Sequence, residues 1–240
     1  MYTGIALRPP IFEIGLKGYL YGAAAVTLAR EAEWAAQENG VTVIFSPQYV
    51  DIPAVAGATK HLRVFAQHMD PVGIGRGNGS VLPEALKEAG AQGTMLNHSE
   101  RRITLGEIAR AIERADEVGL ATLVCSDSPE EAAAVAQLGP NIVLAEPPDL
   151  IGGQRSVGAA MAGFVEETIR LVKGIDPRIV VMCAAGVRTP EDVANMVSLG
   201  VEATGSTSGI LTAEDPVARM RAMIAAMAEA WQRRIGGTTA

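Results

Sequence analysis

Eight short apolar runs recur along the chain, each followed by a longer Ala-rich stretch of helical period. This alternation constrains the fold more than any other feature of the sequence. The runs begin near Ile11, Val41, Leu62, Gly93, Ala121, Ile142, Ile179 and Val201, and their spacings of 21 to 37 residues match one strand plus one helix. Runs such as VTVIF, ATLVC, NIVL and RIVVM are continuous rather than alternating. Strands buried on both faces, as in a parallel sheet covered by helices, read this way.

The segments between them carry helix ends. LPEALKEAG has Pro83 near its start and Gly90 at its end. Thr104 with Glu107 predicts a capping box, and Gly119 ends that helix. Ser128, Pro129 and Glu131 repeat the pattern before Gly139, and Thr189, Pro190 and Asp192 repeat it before Gly200. No Ser- or Pro-rich linker interrupts the 240 residues. Eight strands with eight helices predict an α/β fold, a single (β/α)8 barrel domain over 1–240. The alternative, a doubly wound sheet, more often stops at five or six strands.

Composition narrows the function classes. Lys plus Arg is 20 and Asp plus Glu is 27, for a formal net charge of −7, and no basic run exceeds two residues. That balance speaks against a nucleic-acid partner. No apolar run nears the roughly 18 residues of a membrane span. The N-terminus lacks the basic-then-apolar pattern of a signal peptide. The expected setting is soluble and cytoplasmic. Cys125 and Cys183 lie in apolar runs and are expected to be buried free thiols in strands, with no zinc-like spacing and no metal.

In a barrel, chemistry gathers at the C-terminal ends of the strands. Lys17 follows the first strand, NHSERR with His98 the fourth, and EPPDLIGG with Glu146 the sixth. AAGVRT follows the seventh and GSTSG the eighth. A carboxylate base, an imidazole and an ammonium suit proton abstraction beside a carbonyl. Gly- and Ser-rich turns leave backbone N–H groups for phosphate oxygens. His61 and His68 look like ordinary histidines without a functional role. These residues by themselves indicate a barrel enzyme with a carbonyl or phosphate site.

The stretch VFAQHMDPVGIGRGNGSVLPEALKEAGAQGTMLNHSERR, with AEPPDLIGG, CAAGVRTPEDV and STSGILTAEDP, resembles the triosephosphate isomerase family in its short archaeal-type branch. The resemblance covers Ile11 to about Pro216. It implies an aldose–ketose isomerase of glycolysis and gluconeogenesis that needs no cofactor. It would interconvert dihydroxyacetone phosphate and glyceraldehyde 3-phosphate through an enediol. It further implies His98 as the electrophile, Glu146 as the base and Lys17 facing the substrate phosphate. Gly15 falls in the substrate-binding set, Ile151 and Gly152 in a closing lid, and Gly186, Thr207 and Ser208 on the phosphate loops. A glutamate base, a neutral histidine and a closing loop form the arrangement for which this family is the standard case. The resemblance also implies that the Gly-rich segment Asp70 to Ser80 projects into a second subunit of a homodimer or homotetramer.

The chain departs from the family at several points. Gly15-Leu16-Lys17 stands where Asn-aromatic-Lys is usual, removing a donor near the carbonyl oxygen and leaving space. Gly153-Gln154 replaces Thr-Gly in the lid, Arg155 adds a charge there, and Ala184 stands where Gly is favoured. Strand eight, EATGSTS, is smaller and more polar than usual. Losing one oxyanion donor costs roughly 10²–10³ in rate. These departures suit a slow triosephosphate isomerase, an isomerase of another ketose such as a tetrulose phosphate, or a catalytically weak phosphosugar-binding barrel.

Overall fold

Eight parallel strands pair in chain order, and the eighth returns to the first, so the sheet closes. The computed structural model describes residues 1–147 and 159–237. The strands are β1 (Ile11–Gly15), β2 (Thr42–Ser46), β3 (Arg63–Ala66), β4 (Gly93–Leu96), β5 (Ala121–Ser126), β6 (Ile142–Ala145), β7 (Val180–Met182) and β8 (Ala203–Gly205). The closing seam pairs Ile11 with Ala203, Phe12 with Thr204 and Glu13 with Gly205. The expected barrel is therefore present, and the eight strands start within two residues of the positions read from the sequence.

Nine α-helices lie among the described residues, besides a 3-10 turn at Tyr49–Asp51: α1 (Gly22–Asn39), α2 (Ile52–Ala58), α3 (Pro83–Glu88), α4 (Leu105–Val118), α5 (Pro129–Ala136), α6 (Ala159–Ile175), α7 (Pro190–Ser198), α8 (Ser208–Leu211) and α9 (Pro216–Gly236). The count exceeds the expected eight because β8 is followed by the single turn α8 before α9. No helix among the described residues is long and apolar enough to cross a membrane.

Continuous apolar strands are explained by two cores. Ile11, Ile44, Phe65, Met95, Leu123 and Met182 fill the barrel interior. Phe12, Ile14, Phe45, Val124, Val143 and Val181 point outward onto the helices. The helices meet the sheet through small residues, Ala25, Ala29 and Ala32 on α1 and Ala111 and Ala115 on α4, so they approach it closely.

The helix ends follow the sequence grammar with one exception. Capping boxes form at Thr104–Glu107 and Thr189–Asp192. Gly90, Gly119, Gly139 and Gly200 all take positive φ after their helices. At α5 only half of the box forms. Ser128 Oγ accepts from the Glu131 N–H at 3.1 Å, but the Glu131 carboxylate turns to Arg102 and the Asp127 N–H. A guanidinium is a stronger attraction for it than the cap backbone.

Glycine at the start of β4 is a packing requirement. A Cβ on Gly93 would lie 2.4 Å from Cζ of the buried Phe65 ring, its neighbour in register. Gly93→Ala is expected to destabilise the fold by about 1–3 kcal/mol through overpacking. Urea unfolding should show this as a lower midpoint with the slope unchanged.

Candidate active site

Inward-facing side chains at the C-terminal ends of the strands enclose a cavity of about 380 Å³. Its wall includes Gly15, Lys17, His98, Glu146, Gly186 and Thr207. Closure of the barrel thus brings together six of the nine residues singled out from the sequence. Ser208 is not on the wall; it is the first residue of α8, and Ser206 and Thr207 face the cavity instead. Ile151 and Gly152 lie outside the described residues, as do Gly153, Gln154 and Arg155 of the expected lid.

Lys17 sits at φ 46°, in the left-handed region that costs a non-glycine residue about 1–3 kcal/mol. The turn is held by its carbonyl, which accepts hydrogen bonds from Gln67 Nε2 at 3.1 Å and from Gln48 Nε2. The Lys17 ammonium is 2.7 Å from Glu100 Oε1 at the rim of the cavity. Neither glutamine stood out in the sequence, because their role is to hold a backbone carbonyl 31 and 50 positions earlier in the chain.

His98 leaves β4 through Asn97, another positive-φ residue at 58°. The Asn97 side chain is tied on both sides: Nδ2 donates to the Cys125 carbonyl at 2.9 Å, and Oδ1 accepts from the Ile103 N–H at 3.1 Å. Arg102 adds a hydrogen bond to the Asn97 carbonyl and an ion pair to Asp127. On the ring, Nδ1 accepts from the Glu100 N–H at 3.1 Å. A nitrogen that accepts carries no proton, so in the neutral imidazole the proton is on Nε2. Burial holds the His98 pKa below its usual range, and the nearby Lys17 and Arg102 charges add to that, against Glu100 and Asp127. The ring is therefore a neutral donor at pH 7.

Glu146 follows β6, and its backbone N–H donates to the Ser126 carbonyl at 2.9 Å. Loss of water around its carboxyl raises the pKa to about 7, Lys17 opposing and Asp127 reinforcing the rise. A carboxyl poised there is a far better proton acceptor than one near 4.5. The thiols Cys125 and Cys183 are buried and free, and burial raises both pKa values. Cys183 lies one residue beyond β7 rather than in the strand.

Loops after β7 and β8 form the opposite wall. The backbone N–H groups of Gly186, Thr207 and Ser208 make no hydrogen bond among the described residues. Ser206 Oγ ties the two loops together by donating to the Val187 carbonyl at 2.7 Å. Gly209 permits this approach, since a Cβ there would be 2.6 Å from Arg188 Cα. Free donors converging on an open wall suit an anion.

A carboxyl, an imidazole and an ammonium around one cavity suit proton transfer beside a carbonyl. Residues 10–227 match the sequence profile of the family Triosephosphate isomerase. The chain belongs to the triosephosphate isomerase family. It is 43% identical over 209 residues to the triosephosphate isomerase of Methanobacterium bryantii, covering 86% of this chain and 92% of that one. Against the enzyme of Methanothermus fervidus it is 38% identical over 220 residues, covering 91% and 99%. The crystal structure of triosephosphate isomerase from Bartonella henselae shares the fold, with a TM-score of 0.70 at 16% identity over 92% of this chain and 99% of that one.

For a triosephosphate isomerase relative, β1 is unusual. Gly15 does not leave the expected space. An ideal Cβ on Gly15 would lie 3.0 Å from both Glu13 Oε1 and Thr207 Oγ1, so those two side chains occupy the gap. Sequence reasoning passed over Glu13, although an acid inside the run IFEIG, in register with inward-facing Ile11 and Gly15, was the visible signal. His68 is buried, with Nε2 3.1 Å from Asp70 Oδ1 at the base of the 70–80 loop, a structural place away from the cavity wall.

Glu13 and Glu146 both have pKa values raised by burial from 4.5 to about 7. Each therefore holds its proton more tightly in the fold than in the unfolded chain. That preference is fully present below about pH 4.5 and is lost as pH rises through about 7, leaving two poorly solvated charges. Glu13→Gln and Glu146→Gln are each expected to raise the melting temperature at pH 8. Thermal unfolding followed by circular dichroism should show the gain shrinking toward pH 5.

Proposed function

We propose that the protein is an aldose–ketose isomerase that interconverts dihydroxyacetone phosphate and glyceraldehyde 3-phosphate. The observation that carries this reading is the pairing, across one cavity, of a carboxyl poised near pH 7 with a histidine held neutral and donating from Nε2. The ionised Glu146 removes a proton from C1 of the ketose. Negative charge moves to the carbonyl oxygen, where the His98 N–H stabilises it, while the Lys17 ammonium faces the phosphate. A proton shifts between the two oxygens of the enediol, and Glu146 returns its own proton to C2. C1 is oxidised and C2 reduced within one molecule, so the step needs no external electron acceptor. The phosphate rests on the free N–H groups of Gly186, Thr207 and Ser208.

The protonated form of Glu146 cannot accept a proton, so kcat/KM is expected to fall as pH drops below about 7. Glu146→Gln is expected to lower turnover by at least about 10²-fold, the ordinary contribution of a positioned base. Exchange of the substrate α proton into heavy water, followed by NMR over three- to five-carbon ketose phosphates, reads this directly. Affinity for inorganic phosphate should change less than about threefold, because that site is built from other loops. Wild-type protein that binds the phosphosugars but exchanges no α proton would overturn the isomerase reading in favour of a binding barrel.

We also propose one domain over 1–240, a cytoplasmic setting and a homodimer or homotetramer, with no nucleic-acid or membrane partner. Two free cysteines suit a reducing compartment. Assembly is supported by the loop at 70–80. Asp70 pins its base through the Val81 N–H at 2.7 Å, yet Gly73 to Gly79 are exposed and Ile74 is 82% exposed at the tip. An apolar side chain presented on so glycine-rich a loop suits insertion into a neighbouring subunit. Sedimentation velocity at micromolar concentration should show a dimer or larger. Ile74→Asp should shift it toward monomer.

A further inference from the structure

Glu13 is an acid on an inward-facing position of an otherwise apolar strand, 5% exposed, and it lines the cavity that holds Glu146 and His98. Burying a carboxyl there costs stability unless the group is used or fully paired. Its environment is only partly satisfying. Oε1 accepts a hydrogen bond from Ser46 Oγ at 2.9 Å, and Gly15 at its side leaves the room it occupies. The charged and titratable groups around it are Lys17 after β1, Cys125 on β5 and Glu146 after β6, with His98 after β4 on the same cavity.

We infer that Glu13 is a substrate-contacting residue: its carboxyl, in the protonated form, donates a hydrogen bond to a carbonyl or hydroxyl oxygen of the bound sugar phosphate from the space that Gly15 leaves for it. The identity of that ligand rests on the isomerase reading. Glu13 and Glu146 share one poorly solvated cavity, and two like charges there cannot both form cheaply. Glu146 must be ionised to act as a base, so the proton of the pair belongs on Glu13. Burial is the main reason for its elevated pKa, and the Glu146 charge adds to it; Ser46, Lys17 and the Gly15 backbone pull the other way. With Oε1 accepting from Ser46, the proton is carried on Oε2. A carboxylic acid is a donor, where a carboxylate only accepts. Glu13 and Gly15 thus work as a pair: the first reaches from two residues upstream on the same strand face, and the second keeps its own side chain out of the way.

The test compares wild type, Glu13→Gln and Glu13→Ala by calorimetric titration with dihydroxyacetone phosphate and, separately, with inorganic phosphate. Glu13→Ala should weaken dihydroxyacetone phosphate about tenfold, the worth of one buried hydrogen bond, and leave inorganic phosphate unchanged. Glu13→Gln keeps a neutral donor of the same shape and should bind within about threefold of wild type at pH 7. Between pH 7 and 9, wild-type affinity for the sugar phosphate should fall more steeply than that of Glu13→Gln, because Glu13 ionises only in the wild type whereas Glu146 titrates in both. The inference is overturned if Glu13→Ala binds the sugar phosphate as wild type does, if both ligands weaken equally, or if Glu13→Gln is as weak as the alanine variant. It is equally overturned if the wild-type and glutamine pH curves coincide, an arm that stands even if the alanine variant does not fold. None of these readings requires turnover. Absence of proton exchange in the wild type would sink the isomerase reading while the affinities still decide the role of Glu13.

Discussion

The site depends on the seam where the last strand closes onto the first. Ile11, Phe12 and Glu13 pair with Ala203, Thr204 and Gly205, and the Ser206 N–H continues the ladder to the Glu13 carbonyl at 3.0 Å. Gly205 is needed there, since a Cβ on it would lie 2.5 Å from that carbonyl oxygen. Closing the sheet at this point sets the loop of Thr207 beside Gly15 and Lys17. It also turns an array of strand ends that are distant in sequence into one cavity. Parallel strands make this possible, because all eight C-terminal ends then lie on the same side.

Within the cavity, the fold trades stability for reactivity. Carboxyls at Glu13 and Glu146 have lost most of their water and sit near pH 7. His98 is kept neutral by burial and by neighbouring cations. Lys17 is held in a costly backbone conformation by two glutamine side chains, with its ammonium on Glu100. Strain and poor solvation collect where chemistry is expected and are offset by the two apolar cores around them. The rim network of Arg102, Asp127, Glu131 and Asn97 has a related task. It draws Glu131 away from its helix cap to hold the turn that presents His98.

Much of this was legible in the residues. Continuous apolar runs at βα spacing gave the barrel, because strands packed on both faces have no polar side to show. Helix ends were visible through Thr104, Thr189 and the glycines that follow the helices, because caps are local chemistry. Lys17, His98 and Glu146 were found because a polar residue just after a buried strand has one natural destination in a barrel. Which of the three small residues after β8 turns toward the cavity was not legible, since only the backbone path of the loop sets Ser206 and Thr207 on its wall and Ser208 at the start of α8.

What the sequence by itself determined is the barrel, the side of it that carries chemistry and the types of group gathered there, all of which follow from local pattern and strand polarity. Only the tertiary structure decided the electrostatic state of those groups and the meaning of Gly15. A pKa near 7 for Glu13 and Glu146 comes from burial by chain segments far apart in the sequence. Whether a glycine is a void or a fitted space depends on what lies within 3.0 Å of its missing Cβ, here a carboxyl from its own strand and a hydroxyl from a loop 192 positions further along the chain. No local window of sequence contains that contact, because it exists only once the ring of strands has closed.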